Sequence, residues 1–517
     1  MSTNVGRKIR WWPAVLVVAL CALAEAWVWL RPGPIRQMRV IETFIVSFVG
    51  VLLLLLWFLF FSRARPRWRW LALAAVGVAA LFFSQFVTIS GVTGDLVPIL
   101  GWKGGGSGGG GEVALAGGPG AAGAGGYPQF LGPRRDGTVR GVRLARDWET
   151  SPPREVWRRP VGEGWSGFAI AGQRAVTQEQ HGSEERLVAY DLATGEELWH
   201  QAQPARYETT IGGIGPRATP TIAAGRVFAL GATGVLTAVD LETGELFWRR
   251  DVLAEHEATN PEWGKSCSPL VVDGRVVVSA GGVSGRSLVA YDTETGELAW
   301  AAGSDRSSYS SPVLAELAGT RQIVIMNAGS VAGHDPATGE MLWDHPWPAD
   351  QPNVAVPLVL PGDRILGSSG YGIGAKQLAL SADGGADGDG GNDGLRASIV
   401  WESPRLKAKF TNPVLHDAYV YGHDDGVYVC LDPVTGERCW KRGRYGHGQT
   451  ILAGDLLLVT TEKGDVVLID PSPEEHRELG RFSALSGKLW NPPALAGNYL
   501  ALRTDREAVL FELPTAE

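Results

Sequence analysis

Hydrophobic residues follow two different rhythms along this chain. Three nearly unbroken apolar runs come first, Trp11 to Leu30, Phe44 to Phe61 and Trp70 to Ile89. Each is close to the roughly 20 residues that a helix needs to cross a bilayer. Beyond Tyr127 apolar and polar residues alternate over short stretches, the period of a half-buried strand. The alternation breaks at an Asp-x-x-Thr-Gly step and resumes as a second strand ending in Trp. LVAYDLATGEELW ends at Trp199, LTAVDLETGELFW at Trp248, LVAYDTETGELAW at Trp300, VAGHDPATGEMLW at Trp343 and YVCLDPVTGERCW at Trp440. A weaker copy, VVLIDPSPEEHRELGRF, is anchored on Asp470. Each reads as a β-hairpin, in which Gly takes a φ > 0 position and Asp or Thr hydrogen-bonds the turn backbone.

A second pair of strands precedes each hairpin. TPTIAAGRVFALG from Thr219, SPLVVDGRVVVSAGG from Ser268, SPVLAELAGTRQIVIM from Ser311, NPVLHDAYVYGHDD from Asn412 and PPALAGNYLALR from Pro492 share a Pro at the strand start. Pro there removes no central ladder bond. Each repeat of roughly 40 to 50 residues therefore holds four strands, A to D, as in a propeller or array. Hairpin anchors fall at Asp191, Asp240, Asp292, Asp335, a degenerate site near Ser381, Asp432 and Asp470. One more unit follows from the ends. Glu507 to Glu512 is a C strand lacking a D strand, and Glu155 to Arg159 is a Trp-bearing D strand with nothing before it. Joining them removes exposed sheet edges. The expected fold class is an all-β eight-bladed propeller, with seven blades as the alternative, preceded by an α-helical membrane domain of three transmembrane helices.

Charge changes this picture in two ways. Ten Lys or Arg and two Glu lie before residue 70, which leaves 37 basic against 53 acidic residues in the remainder, a balance of −16. So acidic a domain lacks the basic face that phosphate backbones require, and nucleic acid is excluded as its partner. The N-terminal tail and the Arg63 to Arg69 loop hold seven basic residues against three in the Arg31 to Arg39 loop, which places the first two on the cytoplasmic side. The expected layout is a cytoplasmic tail at 1–10, a three-helix anchor at 11–92, a Gly-rich flexible linker at 93–126 and a propeller at 127–517. This makes an integral, multi-pass protein of a cell (inner) membrane with the propeller on its extracytoplasmic side. Glu25, inside the first span, reads as a helix–helix contact.

Candidate chemistry lies where loops entering strand A converge on the axis. Immediately upstream of those strands stand Arg217, Trp263, Lys265, Tyr309, Asn353, Lys409, His447, Lys488 and Trp490. Cations, aromatics and amides without a carboxylate suit an anionic, partly flat ligand. Cys430 and Cys439 flank one hairpin turn, and if Asp432 opposes Glu437 they face each other. A disulfide and two free thiols both fit. DGGADGDGGNDG, from Asp383 to Gly394, has the composition of a calcium loop but fails EF-hand spacing, and reads as an overgrown hairpin turn.

The repeat A-x-D-x-x-T-G-x-x-x-W resembles the pyrroloquinoline quinone (PQQ)-like repeat of quinoprotein dehydrogenases and of the outer-membrane assembly lipoprotein family. The strings YPQFLGPRRDG, GIGPRATPT, WGKSCSPLVVDG and RLKAKFTNPVLHD resemble those of PQQ-binding-like propellers. The resemblance implies that Trp199, Trp248, Trp300, Trp343, Trp401 and Trp440 dock between blades, and it brings in PQQ with calcium as a cofactor. In the dehydrogenases it also implies carboxylate calcium ligands, a catalytic Asp and a disulfide between adjacent cysteines. This chain has no adjacent cysteine pair, and Glu179, between Gln178 and Gln180, is its weak metal candidate. The expected function is a non-catalytic binding or scaffold module that takes an envelope protein or peptide, or an anionic small molecule, in its funnel. A PQQ-dependent dehydrogenase acting on an alcohol or sugar and a regulatory or sensory ectodomain are the alternatives.

Overall fold

The structure, a computed structural model, describes residues 9–32, 35–102, 126–382 and 394–516. Most of the expected tail and linker, and all of the acidic loop except Gly394, lie outside them. The chain divides into two compact units, Met1–Gly109 and Gly110–Glu517.

In the first unit, α1 spans Trp12–Leu30, α2 Arg36–Leu56 with a π-helical turn at Trp57–Phe61, and α3 Pro66–Phe86. All three are long and apolar enough to cross a membrane. Pro13 and Pro66 sit in the first turns of α1 and α3, where the missing N–H leaves no bond unmade. Glu25 on α1 accepts a hydrogen bond from the Thr43 hydroxyl on α2 at 3.0 Å. The third helix stops three residues short of the expected Ile89. β-branched residues follow, and Val87–Val92, at the end of the expected anchor, instead pairs with Pro98–Trp102, in the expected flexible linker, as an antiparallel hairpin.

Among the described residues the second unit holds eight sheets of four or five strands, seven of them four-stranded and antiparallel. Chain order runs A to D across each sheet, as in β-strands Thr221–Ala223, Arg226–Leu230, Val235–Asp240 and Leu246–Asp251. The inner strands Ala494–Ala496, Ala169–Ala171, Thr221–Ala223 and Leu270–Val272 lie side by side, so the sheets stand around an axis as in a propeller. Glu507–Glu512 takes its fourth strand from Arg154–Pro160, with Glu507 opposite Pro160 and Glu512 opposite Arg154. The chain thus joins its first and last sheets in the way the two orphan strands predict.

The repeat motif is explained by contacts between neighbouring sheets. Asp191 Oδ1 accepts the N–H groups of Ala193 and Thr194, each at 2.9 Å, and Thr194 Oγ1 accepts that of Glu196. Gly195 has φ +72°, and a Cβ there would come within 2.7 Å of the Trp157 ring. The turn of one sheet therefore lies on the tryptophan of the preceding sheet. Trp157 Nε1 donates to Leu192 O at 2.9 Å, Trp199 to Leu241 O, Trp248 to Thr293 O, Trp300 to Pro336 O, Trp401 to Pro433 O and Trp440 to Ser472 O. Trp343 departs from the rule and donates to Gln322 within its own sheet. The next sheet has no Asp-x-x-Thr-Gly turn in its sequence.

A β-bulge recurs between strands C and D of all eight sheets. In five of them it pairs the motif's small residue with Trp, for example Ala238 with Trp248. The bulge also corrects the cysteine register. Cys430 pairs with Trp440 and Leu431 with Arg438, which leaves Cys439 unpaired in the bulge. Both thiols are free, Cys430 buried and Cys439 exposed. Burial, with Cys439 alongside, pushes the Cys430 thiol up.

Residues 127–139 form a strap across the axis. Pro128 O accepts the Ile222 N–H at 2.7 Å, and Tyr127 exchanges bonds with Ile170. Thr138–Val139 then adds a parallel fifth strand to Thr450–Ala453 on the far side. Arg135, 4% exposed, pins the middle of the strap. Its guanidinium donates to Pro312 O at 2.7 Å and Ser268 O at 3.1 Å, and also to Pro269 O.

Candidate functional site

Residues just ahead of the A strands of all eight sheets enclose a cavity of about 150 Å³ on the axis. Its walls are aromatic. Trp263 stacks on Tyr309 with centroids 5.0 Å apart and planes at 28°, and Phe410 meets Trp263 edge-on at 6.1 Å. Trp490 lies 5.0 Å from Phe410 and 5.3 Å from Trp165. Phe130, from the strap, lines the same cavity, so the strap blocks the axis and leaves a blind pocket. The indole Nε1 atoms of Trp165 and Trp263 are buried without a hydrogen-bond partner among the described residues.

Of the positions expected to bind a ligand, Arg217, Trp263, Tyr309 and Trp490 line the pocket. Lys488 sits at its edge, with the ammonium 3.8 Å from the Trp490 centroid and 4.5 Å from that of Trp165. Burial draws the Lys488 ammonium down to about 8, against the opposing pull of Asp505 and Glu462. The rest stand behind the wall. Lys265 Nζ donates to Ser279 O at 3.0 Å, Ala280 O at 2.7 Å and Ser307 Oγ at 2.9 Å, and burial lowers it to about 8. Asn353 Nδ2 donates to Ala328 O at 2.9 Å, while its Oδ1 accepts from Ser369 at 2.7 Å. Lys409 lies 3.9 Å from Asp425 and over the Tyr371 ring. His447 is buried edge-on against Phe410.

Arg217 faces the pocket but spends its hydrogen-bonding capacity on the protein. It donates to Gly212 O at 3.0 Å, Gly213 O at 2.9 Å and Gly215 O. Burial lowers its guanidinium to about 10, against the attraction of Tyr207 and Tyr309. Trp165, Phe410, Phe130 and Glu462 complete the site and are absent from the sequence-derived set. Trp165 stands ahead of the first A strand as Trp263 stands ahead of the third, so applying the same rule to the first sheet finds it. Phe410 adjoins Lys409, whereas nothing in the sequence marks Phe130. Glu462 lies behind Trp490 and accepts its indole N–H at 2.8 Å.

Glu179 lies away from the pocket, fully buried in the B strand of the first sheet rather than at a strand edge. Its oxygens accept from Gly162 N–H at 2.7 Å, His181 at 2.8 Å and the Tyr190 hydroxyl at 2.7 Å. A calcium-held quinone needs carboxylate or amide oxygens turned toward the pocket. Asn412 Oδ1 instead accepts the Val356 N–H at 2.8 Å, and the Gln449 amide donates to Phe410 O and Trp490 O. No three His, Cys, Asp or Glu side chains converge among the described residues. The residues around the pocket do not fit calcium-held PQQ.

Comparison with known proteins bears on the fold. The chain is similar to quinohemoprotein alcohol dehydrogenase from Comamonas testosteroni, with TM-score 0.52 and 12% identity over 76% of this chain and 81% of that one. BamB from Moraxella catarrhalis gives TM-score 0.49 and 16% identity over 71% and 99%. A europium-containing methanol dehydrogenase gives 0.46 and 12% over 75% and 98%. At these identities the Comamonas likeness supports the propeller fold and nothing finer. No curated protein matches the chain. The family model described as outer membrane protein assembly factor BamB matches residues 139–265 and 183–442, overlapping spans that cover more than half of the sequence. With its PQQ-like repeats and propeller fold, the chain belongs to that family.

Proposed function

We propose that this protein is a membrane-anchored, extracytoplasmic propeller that acts by binding, without turnover, and that a protein or peptide partner inserts a side chain into the blind axial pocket. The observation that carries this reading is the make-up of the pocket. Six aromatic side chains surround a space of about 150 Å³, side-chain rather than cofactor in scale, and two buried indole N–H groups there lack acceptors among the described residues. Aromatic walls reward a flat or apolar insert, and unmatched donors reward carbonyl oxygens brought with it, because each buried donor left unpaired costs about 1–3 kcal/mol. A peptide supplies both. The excess of Lys and Arg beside the first and third helices supports the extracytoplasmic placement.

Tryptophan fluorescence of the full chain in detergent tests the reading. Short peptides carrying one aromatic residue are expected to change the emission saturably, alanine counterparts are not, and Trp263→Ala should abolish the response. Saturable binding of PQQ with calcium, accompanied by dye reduction on addition of an alcohol or sugar, would overturn it in favour of a dehydrogenase.

A further inference from the structure

A second cavity, of about 700 Å³, lies on the outside of the strap. Arg134, Arg140 and Arg143 line it, together with the Gly497–Asn498 turn and Thr515 of the last sheet. All three arginines are exposed. Arg140 pairs with Asp136 at 2.8 Å, but the guanidinium groups of Arg134 and Arg143 have no hydrogen-bond or ion-pair partner among the described residues. The next arginine along shows the contrast, since Arg146 is held between Asp470 at 2.7 Å and Asp455 at 2.6 Å. Among the described residues the wall of the groove contains no carboxylate. So concentrated a cationic surface runs against the acidic balance of the rest of the chain beyond residue 70.

We infer that this groove takes the phosphate of an anionic phospholipid headgroup. Guanidinium groups present paired donors that match phosphate oxygens, and three of them on one short stretch can share a single phosphodiester. The phospholipid source is favoured over free phosphate by covalent connection. The groove includes Gly126, the first described residue of the propeller, and the chain leads back from there to α3, one of three helices able to cross a membrane. Attachment keeps headgroups at high effective concentration, and basic side chains near an anionic bilayer surface are attracted to it. The remaining lining is small or backbone-rich, Gly141, Gly497 and Thr515 among it, which leaves room for a headgroup.

The test uses the full chain in phosphatidylcholine nanodiscs containing increasing phosphatidylglycerol, with backbone hydrogen exchange over residues 133–143 as the readout. Wild type is expected to gain saturable protection with phosphatidylglycerol and to lose it at high salt. The triple variant Arg134→Gln, Arg140→Gln, Arg143→Gln should shift the titration by about a hundredfold, and the corresponding triple Lys variant should recover most of it. The triple Gln variant must keep wild-type exchange in the Glu507–Glu512 strand, which separates loss of binding from loss of fold. Two results would overturn the assignment: equal exchange in the two lipids, and phosphatidylglycerol protection that persists in a folded triple Gln variant. Inorganic phosphate protecting wild type equally well would reassign the groove to a free anion and also overturn it.

Discussion

Arg135 offers the most direct measure of how the strap is held. Its guanidinium is buried on the axis, where burial lowers it to about 10, and no carboxylate partners it. It satisfies carbonyls of two different sheets through Pro312 O and Ser268 O, adds Pro269 O, and donates through Nε to Gln129 Oε1 at 2.9 Å. Arg135→Met keeps much of the apolar stem but leaves these carbonyls without their donor. Pro269 O retains the Thr221 hydroxyl as a second donor and Ser268 O only the weak Cys267 thiol at 3.9 Å, so two acceptors lose their strong donor. At about 1–3 kcal/mol for each buried group left unpaired, the loss is about 2–6 kcal/mol, reduced by the relief of no longer burying a cation. The expected net cost is about 2–4 kcal/mol, read as a fall in urea midpoint without a change in slope. Because Arg135 bridges the strap to the sheets, amides of Gly137 and Thr138 should exchange faster than those of the sheet interiors. A variant within about 0.5 kcal/mol of wild type, with unchanged strap protection, would refute the idea that buried donors on the axis hold the strap.

Three further outcomes follow from the sheet contacts. Deleting residues beyond Thr504 removes the Glu507–Glu512 strand that pairs with Arg154–Pro160, and should sharply lower the thermal midpoint of the full chain; a mild effect would count against closure through that pairing. Gly195→Ala should cost about 2 kcal/mol or more in chemical denaturation, since it combines a left-handed backbone with the Trp157 ring at 2.7 Å, whereas Gly172→Ala, with φ +56° and open space, should cost only about 1 kcal/mol. Burial would raise the Glu179 carboxyl, but His181, Arg503, Tyr190 and the Gly162 amide together hold it below the usual range. Its contribution is therefore present above the unfolded value of about 4.3 and lost as pH falls through the folded one; Glu179→Gln should lower stability at neutral pH and flatten the acid limb of a stability-against-pH curve.

The architecture was legible because its signals are local. Asp191, Thr194 and Gly195 specify a turn within five residues, and Trp199 marks the strand that follows. The closing strand was legible because an unmatched C strand and an unmatched D strand stood at opposite ends of the sequence. The cysteine register was not, because a bulge inserts one residue between Asp432 and Cys439 without any marker of its own. The hairpin at Val87–Trp102 was hidden by apolar continuity with α3, where β-branched Val87, Thr88 and Ile89 carried the only warning. The strap was missed because its partners Ile222, Ser268 and Pro312 are distant in sequence, and Arg135 looks like any other arginine until the axis surrounds it.

The scarcity of carboxylates ahead of the A strands now has a cause that requires no anionic ligand. Carbonyls in the loops entering strand A and toward the end of strand B are met here by side-chain donors. Lys265 serves Ser279 O and Ala280 O, Asn353 serves Asn327 O and Ala328 O, and Asn491 serves Gly164 O and Ser166 O. Gln178 and Arg503 do the same for Ala218 O and Gly162 O. Carboxylates can donate nothing in this setting unless protonated. Lys, Arg, Asn and Gln at these positions therefore serve backbone carbonyls, whichever ligand the pocket binds. Specificity has to be read from groups that the ring leaves unused. In the pocket the faces of Trp263, Tyr309 and Phe410 are unused in this way, and the indole Nε1 atoms of Trp165 and Trp263 are buried without a hydrogen-bond partner among the described residues.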